Sequence, residues 1–182
     1  KCINTINTIM IKNTFKNADE AYKYFFREIL KNGVEFDDTQ ALFNVGFTIE
    51  NPTDNHIVDK GCIVPRNWNQ EYAEAEWQWY LTGDPKISTL GDIYGKVPEI
   101  WKRMADIRGQ VNSNYGYQWE RNDQLDSIIT HLRVNPKSRR GAISIYDAKE
   151  MHKYSNDTPC TYAVQFTILN NRLNMCVTMR SN

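Results

Sequence analysis

The sequence predicts an α+β fold, a mixed sheet with flanking helices, on three observations. Several segments before Pro136 repeat apolar residues every three to four positions, the period of a helix packed on one side. The last third alternates apolar and polar residues, the period of a strand, and Asn170-Asn171 sits between two such runs as a hairpin turn. No internal repeat or low-complexity tract breaks the chain.

Taken in order, Asn17 to Leu30 carries Ala21, Tyr22, Phe25, Phe26, Ile29 and Leu30 at helical spacing, with Asn17 as a cap and Asn32-Gly33 as a stop. Ala41, Phe43, Val45, Phe47 and Ile49 alternate with Leu42, Asn44, Gly46 and Thr48, which predicts a strand with one apolar face. Asn51 to Asn55 is a loop around Pro52, and Ile57 to Val64 reads as extended. A second helix spans Asn69 to Thr82: Asn69 caps it, Tyr72, Ala75, Glu76, Trp79 and Tyr80 share a face, and Gly83 ends it. Pro98 opens a short helix with Ile100, Trp101, Met104 and Ala105, closed by Gly109. Asp123 to Arg133 is another, with Leu125, Ile128, Ile129 and Leu132 inward and Asn135-Pro136 behind it. Strands over Gly141 to Tyr146, Tyr162 to Leu169 and Leu173 to Met179 follow.

Composition narrows the function classes. The chain has 182 residues, 22 Lys+Arg against 22 Asp+Glu, 41% hydrophobic residues and 12% aromatic ones, enough to build a core. Zero net charge argues against a protein that coats a nucleic-acid backbone, although a few local arginines suffice for a small anion. Mean hydropathy is −0.63, and no apolar run reaches membrane-spanning length. Cys2, Cys62, Cys160 and Cys176 form no Cys-x-x-Cys pair, which predicts reduced thiols and a cytoplasmic protein. Lys1 to Lys12 lacks the charged-then-apolar layout of a secretory signal.

Some polar residues stand out. Glu76 lies on the apolar face of its helix, where it is either a helix-edge carboxylate in solvent or a carboxyl on a pocket wall able to relay protons. Cys160 follows Pro159 at the start of an apolar strand, as an inert small hydrophobe or as a nucleophile presented at a strand edge. Arg139, Arg140 and Arg180-Ser181 are solvated charges or, near the ends of neighbouring elements, a bidentate phosphate clamp. His56, His131 and His152 are scattered, so a Cys-His dyad finds no support. The sequence contains no glycine-rich phosphate loop and no cluster of metal ligands.

Several segments, in order, resemble the thymidylate synthase superfamily, which includes the bacteriophage deoxycytidylate hydroxymethylases. They are Glu76-Trp77-Gln78-Trp79-Tyr80-Leu81-Thr82-Gly83-Asp84, Tyr115-Gly116-Tyr117-Gln118-Trp119, Asp123-Gln124-Leu125, Asn135-Pro136-Lys137-Ser138-Arg139-Arg140, Pro159-Cys160 with Gln165-Phe166, and Arg180-Ser181. The resemblance covers Asn17 to the end. It implies a thymidylate synthase-like domain over residues 17–182, after an extension over 1–16, that lacks the family's C-terminal section and with it the residue that reads the base. It implies the chemistry too. The Cys160 thiolate adds to C6 of a deoxypyrimidine monophosphate, and C5 takes a one-carbon unit from the co-substrate 5,10-methylenetetrahydrofolate. Glu76 and Tyr115 are the other catalytic residues. Arg180 and Ser181 hold the phosphate, and Arg139 and Arg140 reach across a homodimer to the neighbour's site. Trp101, Asn114 and Gln165 line the substrate and folate pocket, and no metal, membrane or nucleic-acid substrate is involved.

Local motifs favour one branch. Val111-Asn112-Ser113-Asn114-Tyr115-Gly116 resembles the hydroxymethylases, where synthases commonly carry Gly-Pro-Val-Tyr-Gly, and Thr161 follows Cys160 where synthases commonly have His. Gln118-Trp119 and Pro159 lean towards the synthases, and Glu120 replaces the arginine that usually follows Gln-Trp. The expected activity is hydroxymethylation of dCMP or dUMP. The alternatives are a thymidylate synthase making dTMP from dUMP and a nucleotide-binding remnant, or half of a split enzyme, without turnover.

Overall fold

The computed structural model describes residues 12–58, 65–147, 149 and 156–180. Cys2, Cys62, Ser181 and most of the extended run expected over Ile57 to Val64 lie outside the described residues. The chain forms two compact units, Lys1–Gln70 and Glu71–Asn182.

In the first unit, β1 (Thr14–Phe15) pairs in parallel with β4 (Thr48–Ile49), and β2 (Val34–Phe36) forms an antiparallel hairpin with β3 (Thr39–Ala41). Between the two pairs runs α1 (Ala18–Asn32), whose cap is the expected Asn17, accepting from the Glu20 N–H at 3.0 Å. Gly33 ends α1 for a reason other than left-handed backbone: its φ is −64°, and a Cβ there would lie 2.4 Å from the Ile29 carbonyl oxygen. Phe15 is buried against Tyr24, Phe25 and Phe47. The single strand expected from Ala41 to Ile49 is not formed. Asn44 takes φ +57°, which a strand cannot contain, and Phe43 and Phe47 keep half or more of their surface exposed, so the alternation does not bury a continuous face.

The second unit holds α2 (Gln70–Leu81), α3 (Ile87–Tyr94), α4 (Glu99–Met104), α5 (Tyr115–Glu120) and α6 (Gln124–Val134). Its antiparallel sheet has the order β5 (Ala142–Ser144), β6 (Thr161–Leu169), β7 (Arg172–Met179). Asn170 and Asn171 make the expected hairpin turn, both at positive φ (+49° and +58°). Gly83 stops α2 at φ +63°. The helix opened by Pro98 ends at Met104, well before Gly109, and α3 and α5 are elements that periodicity did not predict.

Two cores carry this unit. Ala75, Trp79, Leu90 and Val111 form one, flanked by Tyr72, Tyr80, Tyr94, Trp101 and Met104. Ile128, Leu132, Ile143, Ile145, Val164 and Phe166 form the other, flanked by Tyr115, Trp119 and Leu125. Register explains the second: Val164, Phe166 and Ile168 alternate on the β6 face that meets α5 and α6. Val177, Met175 and Leu173 stand opposite them on β7, yet every residue of β7 is exposed.

Where the helices of the two cores meet, the backbones approach closely. A Cβ on Gly116 would lie 1.6 Å from the Tyr80 carbonyl oxygen, so the first turn of α5 can rest against the end of α2 only with glycine there. Tyr80 and Tyr115 then pack edge to face, with centroids 5.7 Å apart.

Candidate active site

α2 builds one wall. Tyr72 and Glu76 are one helical turn apart and therefore share a face. The Tyr72 hydroxyl donates to Glu76 Oε1 at 2.6 Å, and Trp101 Nε1 on α4 donates to the Tyr72 hydroxyl at 2.8 Å. The Trp101 ring stands edge-on to buried Trp79 at 5.3 Å, and the Tyr72 ring stands edge-on to Tyr94 at 5.3 Å. Burial pushes the Glu76 carboxyl above the ordinary glutamate range, and the Tyr72 hydrogen bond partly opposes that shift. Burial likewise pushes the Tyr72 and Tyr80 phenols up, so both keep their protons at any working pH. The Glu76 side chain is half-buried, and its carboxyl is bonded to Tyr72.

The nucleophile candidate stands at the mouth of the second core. Cys160, a free and partly buried thiol, immediately precedes β6, behind fully buried Pro159. The Tyr115 hydroxyl oxygen accepts from the Cys160 N–H at 3.0 Å and from the Thr161 N–H at 3.3 Å. With its oxygen occupied by two donors, that phenol can offer its own proton away from the backbone. Arg180, at the end of β7, donates its N–H to the Cys160 carbonyl at 2.9 Å. Its guanidinium reaches the Thr158 carbonyl at 2.8 Å and the Pro159 carbonyl at 3.4 Å. The Tyr146 hydroxyl donates to the Pro159 carbonyl at 2.7 Å.

Asp157 ties this strand entry to the loop before α5. Its carboxylate, buried, accepts from the Ser113 N–H and from the Ser113 hydroxyl, each at 2.6 Å, while Asn112 Nδ2 donates to the Asp157 carbonyl at 2.9 Å. Asn114, with no exposed surface, is engaged at both ends of its amide. Oδ1 caps α5 through the Tyr117 N–H at 2.8 Å, and Nδ2 donates to the carbonyls of Asp84 at 3.0 Å and Trp79 at 3.4 Å. Glu120 folds back against Gly83, where a Cβ would meet Glu120 Oε2 at 2.5 Å. The unusual glutamate and the αL glycine are therefore neighbours.

The structure thus brings Tyr115 and Arg180 each against the Cys160 backbone, and links Glu76 to Trp101 through Tyr72. Arg139 and Arg140 form a separate, exposed feature after α6. There His131 Nε2 lies 2.7 Å from Ser138 Oγ, and Ser138 Oγ accepts from the Arg140 N–H at 3.1 Å. His131, Ser138 and Arg140 border an open cavity of about 610 Å3 lined also by Val134, Asn135, Pro136 and Lys137. Gln165 is exposed on the sheet face opposite Val164 and Phe166, between Ala142 and Cys176. Among the described residues no group of acidic, cysteine or histidine side chains could hold a metal ion, and no helix is long and apolar enough to cross a membrane.

Sequence reasoning missed Tyr72 as a partner of Glu76, although the four-residue spacing was a usable signal. It also missed Asp157, Ser113, His131 and Ser138 as supports. Asp157 and Ser113 are 44 residues apart, and no pattern in the chain announces that pairing.

Comparison with known proteins follows the same outline. Residues 20–182 match the family model described as thymidylate synthase. The deoxycytidylate 5-hydroxymethyltransferase of Enterobacteria phage T4 is 38% identical over 122 residues, 63% of this chain and 48% of the relative. A thymidylate synthase of Bacillus mojavensis is 26% identical over 184 residues, 90% of this chain and 64% of the relative. The chain therefore spans about half to two thirds of the length of these relatives. Among solved structures, a thermostable thymidylate synthase A from Bacillus subtilis aligns with a TM-score of 0.61 at 22% identity, covering 91% of this chain and 65% of that one. The T4 phage thymidylate synthase aligns with a TM-score of 0.51 at 24% identity, covering 64% and 45%. Both likenesses concern the fold.

Proposed function

Because the chain belongs to the thymidylate synthase family, we propose that it transfers a one-carbon unit to C5 of a deoxypyrimidine monophosphate, with hydroxymethylation of dCMP or dUMP as the reaction. The observation that carries this reading is the contact of the Tyr115 hydroxyl with the Cys160 backbone, in the same unit as a half-buried Glu76 whose orientation is held by Tyr72.

C5 of an intact pyrimidine is too electron-poor to attack a carbon electrophile. The Cys160 thiolate adds to C6, places the displaced electron pair on the ring, and so makes C5 nucleophilic. Tyr115, whose proton points away from the Cys160 backbone, assists removal of the C5 hydrogen. Glu76, kept partly out of water, passes protons between the base and ordered water. For the hydroxymethyl product, the folate would depart as tetrahydrofolate, water would supply the oxygen, and the thiolate would leave C6. Arg180, already anchored on the two carbonyls before Cys160, holds the 5′-phosphate with Ser181. Arg139 and Arg140, exposed and away from Cys160, complete the neighbouring subunit's phosphate site in a homodimer.

The wall fits 5,10-methylenetetrahydrofolate on its chemistry. Tyr72, Tyr80, Tyr94 and Trp101 make it aromatic and Glu76 adds one hydrogen-bonding group, the donor set that a flat ring with polar edges requires. Trp101 and Glu76 would hold it. When bound, it supplies the one-carbon unit that C5 takes up.

Two features support the hydroxymethyl branch over reductive methylation. Identity is higher to the phage hydroxymethyltransferase than to the synthase. Ser113 also uses both its N–H and its hydroxyl on Asp157, whereas a proline at that place, as in the common synthase motif, has neither donor. The test is release of tritium from 5-labelled dCMP and dUMP by the natural full-length protein with methylenetetrahydrofolate. Release without the absorbance of dihydrofolate supports hydroxymethylation, and accumulating dihydrofolate identifies a synthase. No release from either nucleotide refutes the enzyme reading.

A further inference from the structure

Glu76 has two carboxylate oxygens, and among the described residues only one of them accepts a hydrogen bond. We propose that Tyr72 is a positioning residue that fixes Glu76 Oε1, leaving Oε2 as the oxygen that exchanges protons during the reaction. The proposal rests on the reading of Glu76 as the proton-relaying carboxyl.

The direction of the hydrogen bonds follows from the donors. Indole nitrogen only donates, so the bond between Trp101 Nε1 and the Tyr72 hydroxyl, at 2.8 Å, places a proton on the phenol oxygen from outside. A phenol has a single proton of its own, and Glu76 Oε1 takes it at 2.6 Å. The order is therefore Trp101 to Tyr72 to Glu76, ending on an oxygen that accepts. A bond of that length to a carboxylate is in the charge-assisted range. Both donors are locked by their rings, Trp101 against Trp79 and Tyr72 against Tyr94.

The surroundings do not compete for this role. The other ionisable groups near the wall are Tyr80 on α2 itself, Tyr94 on α3, Tyr115 on α5 and Asp157 before β6. Asp157 is taken up by Ser113, and Tyr115 by the Cys160 and Thr161 backbone. Among the described residues Tyr72 is the hydrogen-bond partner of the Glu76 carboxyl, and it favours the ionised form.

Tyr72→Phe keeps the ring and removes the hydroxyl, and with it the bond to Glu76 and the bond from Trp101. The Glu76 carboxyl, followed by NMR of carbon-13-labelled glutamate in the natural full-length protein, should then titrate at higher pH. The acidic limb of the tritium-release profile should move the same way. At the pH optimum kcat should fall about tenfold, with KM for the nucleotide changed less than about twofold. Trp101→Phe, which frees the phenol to turn, should shift the titration in the same direction by less, and it serves as the measurement if Tyr72→Phe does not fold. A Glu76 titration that stays in place or moves to lower pH in the folded variant overturns the proposal. Glu76→Gln separates this failure from that of the wider reading: undiminished tritium release there would remove the role of Glu76 itself, whatever Tyr72 does.

Discussion

The wall around Glu76 and Cys160 and the loop of Arg139 and Arg140 belong to one compact unit and are built in opposite ways. In the wall, each chemistry-bearing group is held by a partner of its own, and so is the loop that carries Tyr115. Tyr72 holds Glu76, the Tyr115 hydroxyl holds the Cys160 backbone, and Asp157 holds Ser113. The rings around them are half-buried, so electrostatic interactions there are strong and burial raises the Glu76 carboxyl's pKa. In the arginine loop the backbone is pinned through Ser138, but both arginines are exposed, Arg140 beside an open cavity. Groups that must alter charge during a reaction profit from a fixed, dry setting. Groups that catch a phosphate gain from reach, since a charge in water attracts anions before contact.

This contrast can be broken by mutation. Cys160→Ser, at the most committed point of the wall, should cut tritium release by roughly four orders of magnitude or more. Residual release near the wild-type rate would defeat the nucleophile assignment. Glu76→Gln should cost about a hundredfold to a thousandfold in the same assay. It should also change stability in a definite direction. A carboxyl whose folded pKa is raised contributes stability below its unfolded pKa and loses it as pH rises through the folded value. Denaturant titrations should therefore show the wild type losing stability over that interval and the Glu76→Gln variant holding steady, so that the variant is the more stable protein at neutral pH and the less active one.

Smaller effects compare the supports. Asp157→Ala leaves a buried N–H and a hydroxyl of Ser113 without their acceptor and should destabilise by about 2 to 3 kcal/mol in urea unfolding. Ser138→Ala, at the exposed loop, should cost about 0.5 to 1 kcal/mol. Equal costs would mean that the two regions are not built differently after all. Last, Arg140→Ala should weaken nucleotide binding about tenfold while leaving Cys160 reactive towards alkylation. Mixed with Cys160→Ser protein, it should regain up to about a quarter of wild-type activity, because a hybrid dimer rebuilds one complete site. Failure to recover any activity would place Arg139 and Arg140 in their own subunit's site or in none.

Much of the second unit was legible because its elements keep a regular apolar period, which α2, α6 and β6 bury and β7 leaves exposed. α2, α6, β6 and β7 follow from apolar spacing, and Gly83 and Asn170-Asn171 mark turns that need positive φ. α3 was not legible. It is short, contains Gly91, and its Lys86 cap makes no side-chain bond, so neither periodicity nor a capping signal marks it. α5 buries a glutamine and starts beside a glycine whose purpose, close approach to Tyr80, exists only in three dimensions. The strand expected from Ala41 to Ile49 failed for a local reason: Asn44, at φ +57°, breaks the extended backbone in the middle of the alternation. The candidate site divides along the same line. Its reactive groups were visible as motifs, whereas the groups that orient them come mostly from distant parts of the chain. Tyr72 is the exception, because a helix repeats its neighbours every turn.

The exposed β7 strand bears on how this chain behaves in a tube. Leu173, Met175, Val177 and Met179 stand 41% to 64% exposed along one side of it, and among the described residues the strand forms an edge of its sheet. Within β7 itself little discourages another strand from docking: Arg172 sits only at its beginning, and the run to Met179 contains no proline and no further charge. At the concentrations of a purification column, such a strip invites β7 of one molecule to pair with β7 of the next. A lysine in place of Met175 would supply the missing repulsion, making this polypeptide easier to keep in solution without touching any residue assigned to chemistry.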